Sequence, residues 1–307
     1  MSIIKLNGQS LAEAVSSAKP FDTLVLENKV YREKVVISVP DVTLMGSPEG
    51  GTAIVYGDYA NKIADDGLEY NTFRTYTVHV TADGVKLKDL AVVNDAMHPA
   101  VKGQAVALSV SGDRFYGENL KLVSLQDTLF CGPLPDDLVT RYMGFLPDGE
   151  RYFEGESRQL YKNCTVLGSV DFVFGTAAAF FDGCTFVCCN DGRREGYVAA
   201  PAHSLKQKIG FVFYNCKFEV EKDANGEFYL ARPWRNFGKA SFIGCKLSPK
   251  FNQKLFDKWG STNRDKTARF EVDDLTPYQN IVSWAKKLKG DKIDFYLSAL
   301  ENLKKSI

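Results

Sequence analysis

The sequence lacks the features that mark several large protein classes. Its 38 basic and 38 acidic side chains cancel, so the basic excess typical of a nucleic-acid-binding protein is missing. No apolar run reaches the 18 residues that indicate a membrane-spanning helix. Its seven cysteines include no CxxC spacing of the kind that binds zinc. We therefore expect no nucleic-acid partner and no membrane partner.

Common catalytic motifs are also missing. The chain has no Gly-x-Ser-x-Gly nucleophile motif, no P-loop and no Rossmann glycine pattern, and its three histidines are scattered. A hydrolytic activity would therefore have to depend on carboxylates. The odd number of cysteines predicts reduced, buried thiols. The first residues show no signal-peptide pattern, which favours a cytoplasmic location, or a secreted one if a leader has been removed.

Helical periodicity is nearly absent between residues 20 and 270. Short runs of β-forming residues alternate there with Gly, Asn and Asp, and this texture predicts many brief strands. The clearest runs are Thr23–Leu26, Lys34–Ile37, Val42–Leu44, Thr77–Val80, Lys86–Val93 and Ala105–Val110. One short amphipathic helix is predicted at residues 10–18, where Ser10 and Glu13 have the spacing of a capping box.

An internal repeat underlies these strands. Each copy has an aromatic residue, a small or polar turn, Asn or Cys, and then apolar alternation, with the Asn or Cys at positions 119, 164, 184, 216 and 245. The steps of 45, 20, 32 and 29 residues are too irregular for a β-propeller, the main alternative. They indicate an all-β, right-handed parallel β-helix with an internal Asn/Cys ladder. We expect one domain over residues 1–307, with coils at about 20–270.

The C-terminal segment has a different pattern. Thr276 and Pro277 resemble the N-cap and first residue of a helix, and apolar residues recur from Ile281 to Leu288, including Trp284 and Ala285. We expect this helix to end at Gly290 and a second one to cover Ile293–Leu303. Both helices of this extension, residues 276–304, would pack on the solenoid.

Two aspartates lie in short apolar strings, Gln126-Asp127-Thr128-Leu129-Phe130 and Asp171-Phe172-Val173-Phe174-Gly175. Apolar surroundings penalise a charged carboxylate, so two such strings indicate a functional pair. Two carboxylates that face one cleft can divide the roles of acid, base and nucleophile.

Five motifs in order give the chain a family resemblance. They are Tyr31-Arg32-Glu33, Gln104-Ala105-Val106-Ala107-Leu108, Gln126-Asp127-Thr128-Leu129, Asp171-Phe172-Val173-Phe174-Gly175 and Arg232-Pro233-Trp234. From about residue 8 to residue 270 the chain resembles the bacterial-type pectin methylesterases, carbohydrate esterases with a right-handed parallel β-helix fold. The resemblance implies hydrolysis of galacturonate methyl esters in pectin or its oligosaccharides, with release of methanol. It implies no metal and no organic cofactor, and we expect a monomer.

The resemblance also implies the catalytic roles. Asp171 aligns with the nucleophile, Asp127 with the general acid and base, and Arg232 with the residue that holds the nucleophilic carboxylate. Gln104 and Gln126 align with the amides that stabilise the oxyanion. Physical reasoning agrees, because a general acid must stay protonated, and burial beside a second carboxylate raises its pKa. We therefore expect the raised pKa at Asp127.

The substrate contacts follow from the same resemblance. Trp234 aligns with an aromatic residue along the sugar-binding groove, and Thr72 lies where the family often has a substrate-contacting threonine. Phe130 and Phe174 are expected to form part of the groove wall, and Phe256 stands where the family has a groove tryptophan. By contrast, Tyr31 and Glu33 are expected to be structural.

The largest departure from the family pattern is an insertion at Cys131–Ser157, which puts Asp127 and Asp171 44 positions apart. The insertion is rich in Pro, Gly, Asp and aromatic residues, and it follows Phe130 directly. We hypothesise that it narrows the cleft and favours short or end-positioned substrates.

Three alternatives remain open at this point. One is a pectin-active lyase or glycosidase, although the acidic calcium cluster usual in such lyases is not apparent in the sequence. Another is a β-helix that binds glycans without catalysis. The third is a related esterase or thioesterase that acts on a non-pectin ester.

Overall fold

Three sheets of parallel strands wind around one core. The structure is a computed structural model that describes residues 2–96, 103–141, 157–278 and 280–307. Within these ranges, strand-to-strand pairing in all three sheets is parallel. The chain visits the sheets in turn, so each circuit stacks on the one before it. This arrangement is a parallel β-helix, and it confirms the fold class predicted from the sequence.

The described strands fall into three sheets, named here in order of size. Sheet A contains Ile3–Lys5, Thr23–Val25, Thr43–Met45, Lys86–Lys88, Phe115–Glu118, Arg158–Lys162, Ala178–Asp182, Phe211–Tyr214, Lys239–Ile243, Arg269–Val272 and Lys286–Lys287. Sheet B contains Val30–Tyr31, Ala53–Tyr56, Ala91–Asn94, Lys121–Val123, Thr165–Gly168, Thr185–Cys188, Lys217–Val220 and Lys246–Leu247. Sheet C contains Val35–Ile37, Val78–Val80, Leu108–Val110, Leu129–Cys131, Val170–Gly175, Glu195–Pro201 and Glu227–Ala231.

Three α-helices are described: α1 (Leu11–Ser17), α2 (Asp136–Arg141) and α3 (Gly290–Ser306). Helix α1 confirms the predicted N-terminal helix, and its Leu11 and Val15 are buried in the core. Two short 3₁₀ turns occur at Thr72–Arg74 and Arg264–Lys266. Among the residues described, none of the helices combines the length and the apolar character needed to cross a membrane.

The first turn of α1 is capped from two directions. The Ser10 hydroxyl accepts a hydrogen bond from the Glu13 amide at 3.4 Å. The Glu33 carboxylate accepts from the Leu11 and Ala12 amides at 3.0 and 2.9 Å, and from the Ser10 hydroxyl at 2.7 Å. A negative charge at a helix N-terminus is stabilising. Glu33 therefore anchors the N-terminal helix to the solenoid.

Aromatic side chains stack through the centre of the solenoid. Tyr161, Phe181, Phe213 and Phe242 occupy matching positions of consecutive sheet A strands. Their ring centroids are 5.0, 4.9 and 4.7 Å apart, with interplanar angles of 15°, 11° and 7°. Aromatic pairs of this kind contribute about 0.5–1.5 kcal/mol each beyond their burial. The stack therefore helps to keep successive coils in register.

The predicted ladder needs one correction. Glu118 pairs with Lys162, so the same register puts Asn119 level with Asn163 and not with Cys164. Both asparagines have a left-handed backbone, with φ of 53° and 52°. Asparagine tolerates this conformation better than most residues, so these positions form the turn. The ladder itself consists of Cys164, Cys184, Cys216 and Cys245. All seven cysteines are free and buried, as predicted.

The predicted helix after Thr276 is wrong. In the described part of residues 276–289 the chain is irregular until Lys286–Lys287, which pairs with Glu271–Val272. This pairing satisfies the open edge of the last complete sheet A strand, which a helix could not do. The apolar side chains still cover the core, and the Trp284 ring lies 5.5 Å from that of Phe270.

Only one C-terminal helix is therefore described. The second predicted helix corresponds to α3. Gly290, which was predicted to end the first helix, is instead the first residue of α3. Its buried residues Tyr296, Leu300 and Leu303 pack on outward-facing apolar residues of sheet A such as Leu160. This contact confirms that the C-terminal extension packs on the solenoid.

Candidate active site

Asp127 and Asp171 lie side by side on neighbouring coils of sheet C. Strand Leu129–Cys131 pairs with Val170–Gly175, and Gln126 forms a bridge with Val170. Both aspartates have a left-handed backbone, with φ of 63° and 51°, a conformation that is uncommon outside glycine but that asparagine and aspartate tolerate better than most residues. The register shifts between Val170 and Val173, and this irregularity takes Asp171 out of the usual alternation.

Arg232 holds the Asp171 carboxylate in a two-point contact. Its Nε donates to Oδ1 at 2.8 Å, and its Nη2 donates to Oδ2 at 2.7 Å. The guanidinium lies between two aromatic rings, 3.9 Å from the centroid of Tyr197 and 4.1 Å from that of Trp259. A bidentate pair is stronger and more directional than a single contact, and the rings restrict the arginine further. The Asp171 carboxylate is therefore fixed in position.

Asp127 is in a different electrostatic environment. It is 8% exposed, and burial raises its pKa well above the ordinary aspartate value. The charge of Asp171 raises the pKa further, whereas Arg232 and Arg193 oppose this shift. The direction agrees with the expectation from the sequence. Asp127 can therefore hold a proton at a pH where an exposed aspartate would not.

Gln126 is oriented by an arginine that sequence reasoning missed. Arg193 Nη2 donates to Gln126 Oε1 at 2.8 Å, so the amide nitrogen of Gln126 points away from Arg193. Asp191 holds Arg193 in turn, with its carboxylate 3.4 Å from Nε and 3.0 Å from the backbone amide. Ser169 donates a hydrogen bond to the same carboxylate.

Gln104 lies one coil before Gln126. The amide of the next residue, Ala105, donates to the Gln126 carbonyl at 3.1 Å, so the two glutamines are neighbours in the stack. Both side chains are half-buried. The structure therefore places Gln126 on the coil of Asp127 and Gln104 on the coil before it.

Two aromatic side chains cover the Arg232 guanidinium, and a third lies close by on the same strand end. The predicted groove residue Trp234 is half-buried, and its ring lies 5.7 Å from that of Phe174. Tyr197 and Trp259, which cover the guanidinium, were not predicted. Thr72 begins a 3₁₀ turn whose next residue, Phe73, contacts the ring of Phe130 at 5.3 Å, so this turn belongs to the same region.

The groove part of three phenylalanine predictions needs a correction. Phe130 and Phe174 were expected to be part core and part groove wall, and Phe256 to stand in for a groove tryptophan, yet all three are almost fully buried. Phe130 and Phe174 are 1% and 2% exposed, and they pack in one cluster with Leu134 and Leu138. Phe256 is 1% exposed inside the solenoid, because its backbone pairs with Ala231 and its side chain joins the core. These residues support the site from below.

The first residues of the insertion pack over this phenylalanine cluster. Leu134 and Leu138, before and within α2, are 4% and 2% exposed. Asp137 forms an ion pair with Arg235 at 2.8 Å, which ties α2 to the loop that carries Trp234. The Thr176 hydroxyl also donates to the Pro133 carbonyl at 2.6 Å. The rest of the insertion, residues 142–156, lies outside the described residues, so the predicted narrowing of the cleft stays a prediction.

Comparison with known proteins gives a consistent result. The sequence profile of the pectinesterase family matches residues 7–133 and 150–281. Pectinesterase QRT1 of Arabidopsis thaliana is 27% identical over 279 residues, which cover 87% of this chain and 66% of that protein. Pectinesterase A of Dickeya chrysanthemi is 29% identical over 250 residues, which cover 74% of this chain and 62% of that protein. The chain thus spans less than two thirds of each of these relatives.

The fold also matches a solved structure. A crystal structure of a pectin methylesterase in complex with a hexasaccharide superposes with a TM-score of 0.77 at 22% identity, covering 96% of this chain and 94% of that one. At this identity the likeness shows the fold. The profile match covers most of the chain and both aspartate motifs, so the protein belongs to the pectinesterase family.

Proposed function

We propose that the protein hydrolyses the methyl esters of galacturonate units in pectin or pectic oligosaccharides and releases methanol. The observation that carries the proposal is the unequal pair of aspartates. Asp171 is fixed by the two-point contact with Arg232, whereas burial and the neighbouring charge raise the pKa of Asp127. Family membership and the pectinesterase names of the relatives support the same reaction.

In the first half-reaction, a carboxylate oxygen of Asp171 attacks the carbonyl carbon of the ester. The resulting oxyanion accepts hydrogen bonds from the amide groups of Gln126 and Gln104. Asp127 donates its proton to the methoxy oxygen, and the carbon–oxygen bond to methanol breaks. The product is an anhydride between Asp171 and the galacturonate carboxyl group, which is a covalent acyl-enzyme.

In the second half-reaction, water displaces Asp171 from the acyl group. The Asp127 carboxylate takes one proton from the water as its oxygen attacks the galacturonyl carbon. The tetrahedral intermediate then collapses, releases the galacturonate carboxylate and restores the Asp171 carboxylate. One water and one ester are consumed, and one acid and one methanol are formed. Asp127 keeps the proton that it took from the water and is ready for the next cycle, and the released acid loses its own proton to solvent.

Arg193 acts in this scheme as a positioning residue. Its guanidinium accepts no hydrogen bond, so only the carbonyl oxygen of the Gln126 side chain can face it. The contact at 2.8 Å therefore fixes which end of the Gln126 amide points away from Arg193. The free end is the donor that an oxyanion needs. The positive charge of Arg193 also limits how far the pKa of Asp127 rises.

The surroundings of the pair suit a sugar chain. Trp234 and Trp259 are partly exposed, and aromatic faces pack well against the C–H faces of sugar rings. The hexasaccharide in the complex of the similar pectin methylesterase supports an oligosaccharide or polymer as the substrate here. We infer that the substrate lies across Trp234 and Trp259, with one ester carbonyl above Asp171.

The test is to incubate the protein with highly methylated pectin and with methylated oligogalacturonides, and to measure methanol and new chain ends in the same samples. We expect methanol without new chain ends. New chain ends without methanol would indicate a lyase or glycosidase, and binding without either product would indicate a glycan-binding protein. Turnover of simple esters or thioesters with no methanol from pectin would indicate a different esterase.

A further inference from the structure

A cavity of about 410 Å³ lies at sheet A, and neither Asp127 nor Asp171 lines it. One wall is the segment that contains Leu205, which follows strand Glu195–Pro201, and the other is the first turn of α3. The floor comes from the first residues of two neighbouring strands, Lys239–Ile243 and Arg269–Val272. The catalytic pair belongs to sheet C, so this cavity is a separate site.

The cavity is strongly basic. Five cationic side chains line it, and Glu271 is the single carboxylate among the lining residues. The cations are Lys208, Lys239, Arg269, Lys286 and Lys292. The protein as a whole is neutral, so this excess of positive charge is local. A concave surface with one sign of charge concentrates ligands of the opposite sign.

The one carboxylate does not neutralise the buried lysine well. Lys239 is 4% exposed, and its Nζ is 3.4 Å from Glu271 Oε2. The same oxygen accepts shorter hydrogen bonds, from the Tyr296 hydroxyl at 2.6 Å and the Ser241 hydroxyl at 2.8 Å. Burial lowers the pKa of Lys239 to about 8; the charge of Glu271 opposes this shift, and the charges of Lys292 and Arg269 add to it. A second negative group in the cavity would stabilise the charged amine.

Arg269 makes the wall rigid. Its guanidinium donates to the carbonyls of Ser204, Gln207 and Phe237 at 2.7–2.8 Å. These contacts fix the segment around Leu205 against the sheet. A wall that is already ordered loses little entropy when a ligand binds.

Two exposed apolar side chains complete the cavity. Leu205 is 64% exposed and Phe295 is 40% exposed, although both line the same basic depression. Lys292 Nζ lies 5.2 Å from the centroid of the Phe295 ring, so apolar and cationic surfaces are adjacent. A simple inorganic anion would make no apolar contact with Leu205 or Phe295. A sugar acid offers both a C–H face and a carboxylate.

We propose that this cavity is a second carbohydrate site that binds de-esterified galacturonate units of a pectic oligosaccharide. The identity of the ligand rests on the proposed function, because de-esterified units are the product of that reaction. The methyl ester lacks the negative charge and would bind weakly. The site would thus retain chain segments that the enzyme has already processed.

The test compares two double variants with equal charge change. Lys286→Gln with Lys292→Gln removes two cations that line the cavity, whereas Lys287→Gln with Lys289→Gln removes two from the same segment that do not line it. Titration calorimetry uses de-esterified trigalacturonate, its methyl ester and inorganic phosphate as separate probes. Circular dichroism and thermal unfolding verify that each variant is folded.

We expect the native protein and the matched control to bind de-esterified trigalacturonate at a second site in addition to the catalytic groove. In the cavity variant this second site should be at least about tenfold weaker, because two charged contacts are lost. Equal binding in both variants, no second site in the native protein, or a site that binds phosphate but not trigalacturonate would overturn the proposal.

Methanol release separates this proposal from the proposed function. The cavity variant should release methanol from a methylated trimer at the native rate, because none of its altered residues contacts the aspartate pair. Loss of the second site with full methanol release is the expected pattern. A protein that binds trigalacturonate at the cavity but releases no methanol would refute the proposed function and leave the cavity site standing.

Discussion

The contact between Arg232 and Asp171 makes a quantitative prediction for Arg232→Lys. Lysine keeps the positive charge but offers a single ammonium group in place of the two-nitrogen fork. At most one of the two hydrogen bonds, at 2.8 and 2.7 Å, can then be kept. Losing one charge-assisted hydrogen bond costs about 1.5–3 kcal/mol. Weaker contact with the rings of Tyr197 and Trp259 adds about 1 kcal/mol.

If these contacts hold the nucleophile in its reactive position, the lost interaction energy should lower kcat. A total of about 2.5–4 kcal/mol corresponds to a fall of about 70- to 900-fold in the rate of methanol release. We expect KM to change little, because Arg232 donates its hydrogen bonds to the Asp171 carboxylate. Urea unfolding measured in parallel checks that the variant is folded.

Arg235→Lys is the matched control. Arg235 also contacts a carboxylate, that of Asp137 at 2.8 Å, but this aspartate is exposed and lies outside the catalytic pair. We expect the control to retain activity within about twofold, because exposed ion pairs contribute little. An Arg232→Lys enzyme with activity similar to the control would show that the two-point contact does not position the nucleophile, and would refute the reasoning.

Three further predictions test other parts of the structure. Methanol release should fall as the pH rises through the raised pKa of Asp127, because the general acid loses its proton. Arg193→Gln should lower kcat and shift this alkaline fall in activity to higher pH, since it removes a positive charge that lowers the pKa of Asp127. An unshifted alkaline fall would contradict this electrostatic assignment. Phe213→Ala should reduce the free energy of unfolding by about 3–5 kcal/mol in urea titrations, because the ring is fully buried in the stack. If Phe21→Ala, at an exposed position, lowered the free energy of unfolding by a similar amount, the role of the stack would be contradicted. Replacing residues 143–155 by a short Gly-Ser linker, with α2 left intact, should raise activity on pectin relative to methylated trimers; an unchanged ratio would refute the narrowing hypothesis.

The aspartate pair could be identified from the sequence because its motifs are local. Asp127 and Asp171 each stand in a string whose residue types and order carry the information. The strands were equally accessible, because β-forming runs alternate with turn residues along the whole solenoid. The small turn shift between Asn119 and Cys164 shows the limit of such patterns, since an error of one residue changes which side chains stack.

Residues that reach the site from other coils could not be predicted from local motifs. Arg193, Tyr197 and Trp259 come close to the pair through the stacking of coils, and no short pattern marks them. Phe256 was confused with a groove residue because Leu255, with φ of 60°, changes the direction of the chain just before it. Trp259 lies three residues later and is the partly exposed aromatic residue at that end of the site.

The C-terminal error has a similar cause. The spacing of Ile281, Trp284, Ala285 and Leu288 fits one face of a helix, yet these residues cover the end of the core without one. Their apolar character was informative about burial. The local conformation was decided by the open edge of strand Arg269–Val272, which lies outside the segment itself.

The central claim is that Asp171 is the nucleophile of a methyl-ester hydrolase. Its most direct test is methanol release from methylated pectin by the native protein, by Asp171→Asn and by Asp182→Asn. Asp182 is a control because its carboxylate pairs with Lys304 at 3.1 Å on another sheet. We expect the native protein and the control to release methanol at similar rates and Asp171→Asn to be at least about 1,000-fold slower. Activity of Asp171→Asn within tenfold of the control, a factor worth about 1.4 kcal/mol, would contradict the claim.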